Sequence, residues 1–207
     1  QHGTPRRVNR KLLWRELSFV ALDAETTGFD HDRDRILSIG IVPITAGQIE
    51  VASRRFWLVQ QADVPNNDAV KIHGIAPAES AAGMPEADVL AQLLPLLTGK
   101  VIVGHHIGFD VKMLNQALRR NFHTTLRNPL IDTAVMAGRH LDAFHKTGYA
   151  GQRPPTLEEL CSHADLPLLG RHTASGDAFT TALLFLWFCS RFHIRHRKPM
   201  TAADLFA

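Results

Sequence analysis

In FVALDAETTG (residues 19–28) an apolar run, Phe19 to Leu22, ends in two acids, Asp23 and Glu25, with only Ala24 between them. Alternate residues of a strand share a face, so the two carboxylates project together and Ala24 points away. Burial and mutual repulsion both act against that arrangement unless a cation compensates it. Asp110 stands just past a second apolar run, in VIVGHHIGFDVKML, at the opening of a helical stretch. His172 and Asp177 lie in GRHTASGDAFTTALL, where the last helix begins. Attraction to the helix dipole accounts for either of these aspartates taken singly. It does not account for four acids that all fall at element boundaries and none on an exposed helix face. Oxygen-only ligands of this kind suit hard divalent cations.

The elements that must position these residues follow from periodicity. Segments 18–25, 34–44 and 47–59 read as three strands joined by the short turns FDHDRD and TAGQ, an antiparallel meander. The Pro-, Gly- and Asn-containing stretch 63–83 reads as irregular. PEADVLAQLLPLL (85–97) has helical spacing, with Pro85 suited to the first turn. KVIVGH (100–105) is a buried strand and 109–121 a helix; NPLIDTAVMAGRHL reads as strand then helix, and TLEELCSHADL and GDAFTTALLFLWFCSRF as two closing helices. Strands followed by alternating strands and helices give a mixed α/β sheet covered by helices. The 207 residues are 45% hydrophobic, enough for one core. The charge of +3 suits a polyanionic partner without establishing one. Cys161 and Cys189 lack metal-ligand spacing and read as reduced core thiols, which fits a reducing, cytoplasmic compartment. The longest apolar run, 182–189, is too short to span a bilayer, and no membrane association is expected.

Taken together, the three motifs resemble the DEDD superfamily of 3′-to-5′ exonucleases, in the subgroup with histidine in its last motif, which includes the proofreading epsilon subunit of bacterial DNA polymerase III and RNase T. Asp23-Ala24-Glu25-Thr26 matches the first motif, GHHIGFD ending in Asp110 the second, and His172-Thr173-Ala174-Ser175-Gly176-Asp177 the third. KIHGI (71–75), LIDT (130–133) and TLEELC (156–161) are smaller echoes. The resemblance covers roughly 18–190. It implies an RNase H-like sheet of five strands, the second antiparallel to the rest, flanked by helices. It also implies an exonuclease domain over 18–190 between a basic leader with a short helix (1–17) and a basic C-terminal tail (191–207). Asp23, Glu25, Asp110 and Asp177 would hold two Mg²⁺ ions, with Mn²⁺ as a substitute, and His172 would be the general base. Thr26, His73, Ile75, His105 and Phe109 would bind the terminal nucleotide. The expected substrates are single-stranded DNA or RNA 3′ ends, with DNA favoured in a proofreading or repair role; an exoribonuclease like RNase T and a catalytically idle binding scaffold are the alternatives. A DNA polymerase subunit is an admissible partner, on a separate chain. The second motif often has Asn where this chain has His106, which puts a local hydrogen bond in question. The tyrosine variant of the third motif is excluded, because Thr173 holds that place and the one tyrosine is Tyr149.

Other features invite chemistry less well. Asp30, Asp32 and Asp34 echo a calcium loop, but Arg35 stands where Gly is needed and Ile41 where Glu is required, so a solvated hairpin is expected. His193 and His196 sit among Arg191, Arg195, Arg197 and Lys198, cations that would repel a metal and suit phosphate contacts or a soluble end. Asp204-Leu205-Phe206, within 203–206, loosely resembles the tail by which replication proteins dock on a sliding clamp, without its leading Gln. In the leader, Leu12, Leu13 and Leu17 are expected to dock on the domain.

Overall fold

The computed structural model describes residues 8–61, 74–145 and 152–206. At its centre β1 (Ser18–Thr26) pairs antiparallel with β2 (Ile36–Thr45), placing Asp23 opposite Gly40, with a register shift between Glu25 and Thr26. On the far side of β2 lie β3 (Gln48–Ile49) and β4 (Arg55–Leu58), both antiparallel to it. On the other side β5 (Val101–Gly104) and β6 (Leu130–Asp132) run parallel to β1. The sheet therefore has five positions, and the second strand alone opposes the others, as expected.

The third strand of the meander, expected over 47–59, is broken: Val51–Ser53 form a 3₁₀ turn between β3 and β4. Pro43 of β2 explains the break. Its carbonyl accepts from Glu50 N at 2.9 Å, and in an antiparallel strand its nitrogen faces the same neighbour. Having no N–H, it has nothing to return, and the ladder opens beside it.

Along the chain come α1 (Pro77–Ala81), α2 (Glu86–Leu97), α3 (Gly108–Phe122), α4 (Thr133–His140), α5 (Leu157–Ala164), α6 (Ala174–His196) and α7 (Ala202–Leu205). Alternation along β1 splits the core into two layers. Val20 and Leu22 pack with Leu90 and Leu93 of α2 and Leu114 and Leu118 of α3. Phe19 and Ala21 face the other way, onto Leu160 of α5 and Phe185 and Phe188 of α6. Burying one such phenylalanine is worth about 1.5–3 kcal/mol. The Phe185 ring lies 4.8 Å from Phe19 and edge-on to Trp14 at 6.1 Å. By the same alternation Asp23 and Glu25 share the α6 side of the sheet, while Ala24 packs with the opposite layer.

The leader docks in part as expected: Leu17 packs against the core, and Trp14 sits deeper than any of the leucines. Trp14 is buried, whereas Leu13 is exposed and Leu12 and Leu17 are half-buried. An indole packed against two phenylalanines covers more apolar surface than a leucine would. Next to it the two ends of the described chain pair. Leu13 bridges Thr201, Trp14 N donates to Met200 O at 3.0 Å, and Ala202 N donates to Leu12 O at 2.9 Å. This seam lies at the start of β1, away from Asp23 and Glu25. Met200 and Leu205 are buried, so the last residues lie on the body rather than free of it. Cys161 and Cys189 are buried free thiols. Among the described residues no helix is long and apolar enough to cross a membrane.

Candidate active site

Three elements deliver the acids to one end of the sheet. β1 carries Asp23 and Glu25 on a shared face. Asp110 occupies the first turn of α3, just beyond β5, and its Oδ1 accepts the backbone N–H of Ala24 at 3.0 Å, which ties the helix start to the strand end between the two acids. Asp177 occupies the first turn of α6. That helix can come so close because of two glycines. A Cβ at Gly40, the residue opposite Asp23, would lie 2.2 Å from the carbonyl of Ala174; one at Gly176 would lie 2.2 Å from the carbonyls of Leu169 and Gly170. Any larger residue at either position would push Asp177 away from Asp23.

The result is a cleft of about 350 Å³ lined by Asp23 to Thr26, Phe29, His105, His106, Phe109, Asp110, Arg171, His172 and Asp177. Oxygen atoms of Asp23, Glu25 and Asp177 lie within 4.8 Å of one another. Burial first, and then the neighbouring charges of Asp110, Asp177 and Glu25, hold the Asp23 carboxyl well above the usual range. Glu25 is pushed up to about 7 by burial and by Asp177, and Asp110 to about 8, mainly by burial. Asp177 is also raised, again chiefly by burial, and its Oδ1 is buried with no hydrogen-bond partner among the described residues. Four crowded carboxyls with an unspent buried oxygen fit a divalent cation, the group best able to relieve their repulsion and burial together.

The remaining expected residues fall differently. His172 is exposed at the edge of the cleft, in the left-handed region at φ 60°, on the turn that leads into α6. Thr26 is buried, and its hydroxyl donates to Gly28 O at 2.7 Å. His105 lines the cleft with Nδ1 2.9 Å from Thr133 Oγ1; burial first, and then His106, lower its pKa to about 4, so the ring is neutral near pH 7. Phe109 lines the cleft, Ile75 is not among the lining residues, and His73 lies outside the described residues. His106, the departure from the second motif, adopts φ 55°, which Asn and His tolerate better than most residues. Its N–H donates to Asp132 Oδ1 at 3.2 Å, and the same oxygen caps α4 through Ala134 N.

Two lining residues carried no signal in the sequence. Phe29 is 77% exposed, with its ring 6.2 Å from that of Phe109, which gives the cleft a pair of aromatic walls. The guanidinium of Arg171 contacts both Asp177 and Glu158 of α5. Glu158 lies within TLEELC (156–161), one of the smaller echoes of the family, on a helix that a Thr156–Glu159 capping box starts.

The chain is similar to known proteins in sequence and in fold. The chain is 30% identical over 173 residues to a PolC-type DNA polymerase III of Oceanobacillus iheyensis, a match that covers 83% of this chain and only 11% of that polymerase. It is 25% identical over 178 residues to the DNA polymerase III epsilon subunit of Aquifex aeolicus, covering 83% of each chain. A zinc-bound E. coli Exonuclease I complex with single-stranded DNA has the same fold, with a TM-score of 0.72 at 23% identity over 88% of this chain and 44% of that one. Residues 20–185 match the exonuclease family, and the chain belongs to it, within the DEDD superfamily that its three motifs resemble.

Proposed function

We propose that this chain removes nucleotides one at a time from the 3′ end of single-stranded nucleic acid, DNA in preference to RNA, and releases nucleoside 5′-monophosphates. The observation that carries this reading is the convergence of four carboxyls from three separate segments, two of them buried and two half-buried, one of the buried ones with an oxygen left unpaired. The names of the relatives, DNA polymerase III chains, and a fold neighbour in complex with single-stranded DNA support DNA over RNA.

Asp23, Glu25 and Asp177 would hold one divalent cation, and Asp110 with Asp23 a second; Mg²⁺ suits oxygen-only ligands, with Mn²⁺ as its substitute. Held there, such cations supply positive charge against the scissile phosphate and make water more acidic. The protein's own groups do the rest. His172, exposed beside Asp177, takes the proton of the attacking water on an imidazole nitrogen, the side-chain group most often used as a general base. Water adds to the terminal phosphate, the bond from phosphorus to the 3′ oxygen of the preceding nucleotide breaks, that oxygen takes a proton from solvent water, and His172 returns its own proton to solvent. Phe29 and Phe109 flank the place where the terminal base would stack, and Thr26 and the neutral His105 border its sugar. Partnership with a polymerase chain extends this reading from the relatives. Docking on a sliding clamp through 203–206 is not part of it, because Leu205 is buried and Asp204 caps α7 through Thr201.

A 5′-labelled single-stranded DNA and an RNA of the same sequence, incubated with Mg²⁺, test the proposal. The expected result is a ladder of shortened DNA, weaker on RNA, that EDTA and Asp23→Ala both abolish. A ladder undiminished in the variant would refute the site. Tight binding with no shortening in either Mg²⁺ or Mn²⁺ would leave the chain an idle binder.

A further inference from the structure

Asp177 is held asymmetrically. Its Oδ2 accepts from the Arg171 guanidinium and from the backbone N–H of His172 at 3.2 Å, while its Oδ1 is buried and has no partner among the described residues. Arg171 is in turn gripped on its other edge by Glu158 of α5, whose Oε1 accepts from Nε at 2.8 Å and also from Nη2. Glu158 is fixed by the capped first turn of its helix, where Thr156 and Glu159 exchange hydrogen bonds.

We infer that Arg171, braced by Glu158, is a positioning residue that pins Asp177 through Oδ2 so that Oδ1 alone is offered to a divalent cation. The inference rests on the metal-dependent reading above. Charge counting favours it. Arg171 and Glu158 cancel each other, so the pair adds orientation while the four cleft carboxylates stay matched to two dications. Shape favours it too. A planar guanidinium can bond two carboxylates on two edges at once, whereas a lysine ammonium is a point charge on a flexible stem and cannot hold both in fixed directions. A carboxylate with one oxygen committed has lost the freedom to rotate that binding a cation would otherwise take from it.

The test measures Mn²⁺ directly, by calorimetric titration of the metal-free protein, and in parallel the Mn²⁺ concentration that half-activates DNA cleavage. Arg171→Ala should weaken both by about 10–100-fold, the range typical for losing a residue that orients a metal ligand. The loss of turnover should shrink as Mn²⁺ is raised to saturation. Arg171→Lys should not restore the parent values, and Glu158→Gln, which keeps the size of the brace, should give a smaller shift in the same direction. Arg153→Ala, which removes an exposed ion pair to Glu159 on the same helix, should leave both values unchanged. Should Arg171→Ala not fold, Arg171→Lys and Glu158→Gln carry the test, and parent-like Mn²⁺ affinity in both would overturn the inference. A folded Arg171→Ala that binds Mn²⁺ within twofold of the parent would overturn it alone. A parent that binds no Mn²⁺ at all would overturn the metal-dependent reading together with it.

Discussion

Among the described residues there are two acidic clusters, one with a histidine, in which three side chains could meet a cation, and they differ in how their oxygens are spent. In the turn after β1, Asp30, His31 and Asp32 lie together near Asp34. Asp34 accepts from Thr27 Oγ1 at 2.7 Å and from Asp30 N at 2.8 Å, Asp30 accepts from Asp32 N, and Asp32 accepts from Gln116 at 2.7 Å. The Asp30 and Asp32 side chains are 51% and 70% exposed, so water serves whatever the loop does not. In the cleft Asp110 and Asp177 are buried and Asp23 and Glu25 half-buried; the carboxyls crowd one another and keep at least one oxygen unpaired. Acid count is therefore a poor guide to a metal site. What separates the clusters is electrostatic cost left standing in the fold, which the turn has discharged through its own hydrogen bonds and the cleft has not.

The contrast can be broken most decisively at Asp23. Asp23→Asn should cut cleavage by at least about 10³-fold, the scale on which loss of a transition-state charge stabiliser is felt. The same change should raise the melting temperature of the metal-free protein, since it removes a buried charge from a repulsive group. A variant less stable than the parent without metal would mean that the cluster is not strained. Metal and pH sharpen the comparison next. The raised carboxyls of Glu25, about 7, and Asp110, about 8, bind protons more tightly in the folded chain than in the unfolded one, whose carboxyls titrate near 4. Their contribution is whole below about pH 4 and is lost as pH rises through 7 to 8. Metal-free protein should accordingly melt lower at pH 8 than at pH 5. Adding Mg²⁺ at about 100 times its dissociation constant should restore about 2.7 kcal/mol at pH 8, and less at pH 5, where protons compete. Equal melting at the two pH values without metal would contradict the proposed cost. The turn supplies the smallest effects. Asp34→Ala should destabilise by about 1–2 kcal/mol through its two lost hydrogen bonds. Asp32→Ala should stay within about 0.5 kcal/mol. Neither should change Mn²⁺ affinity, as titration calorimetry would show.

Much of the site was legible because its signals are local. The one-residue spacing of Asp23 and Glu25 fixes a shared face in any strand, and Asp110 and Asp177 mark helix starts whatever the fold. Arg171 was not legible, because its meaning depends on Glu158 in another helix and its neighbour in the sequence is a histidine that draws the attention. Phe29 lies in an acidic turn whose composition suggests only solvent. The break in the third strand depends on Pro43, a residue of the adjacent strand. Hydropathy alone singles out the leucines of the leader, of which Leu17 packs against the core, and only the tertiary placement of Phe19 and Phe185 explains why Trp14 docks there as well.

The seam between residues 10–13 and 200–203 gives the body a single doorway. Chain leading in and chain leading out share one spot at the foot of β1, on the side remote from the acids. A larger polypeptide could carry this unit as a pendant, attached at one point, without lengthening any internal loop or draping linker across the mouth through which a strand must enter. Joining the ends there and opening the chain elsewhere at an exposed turn would leave the sheet, and the grip of its helices on the acids, undisturbed.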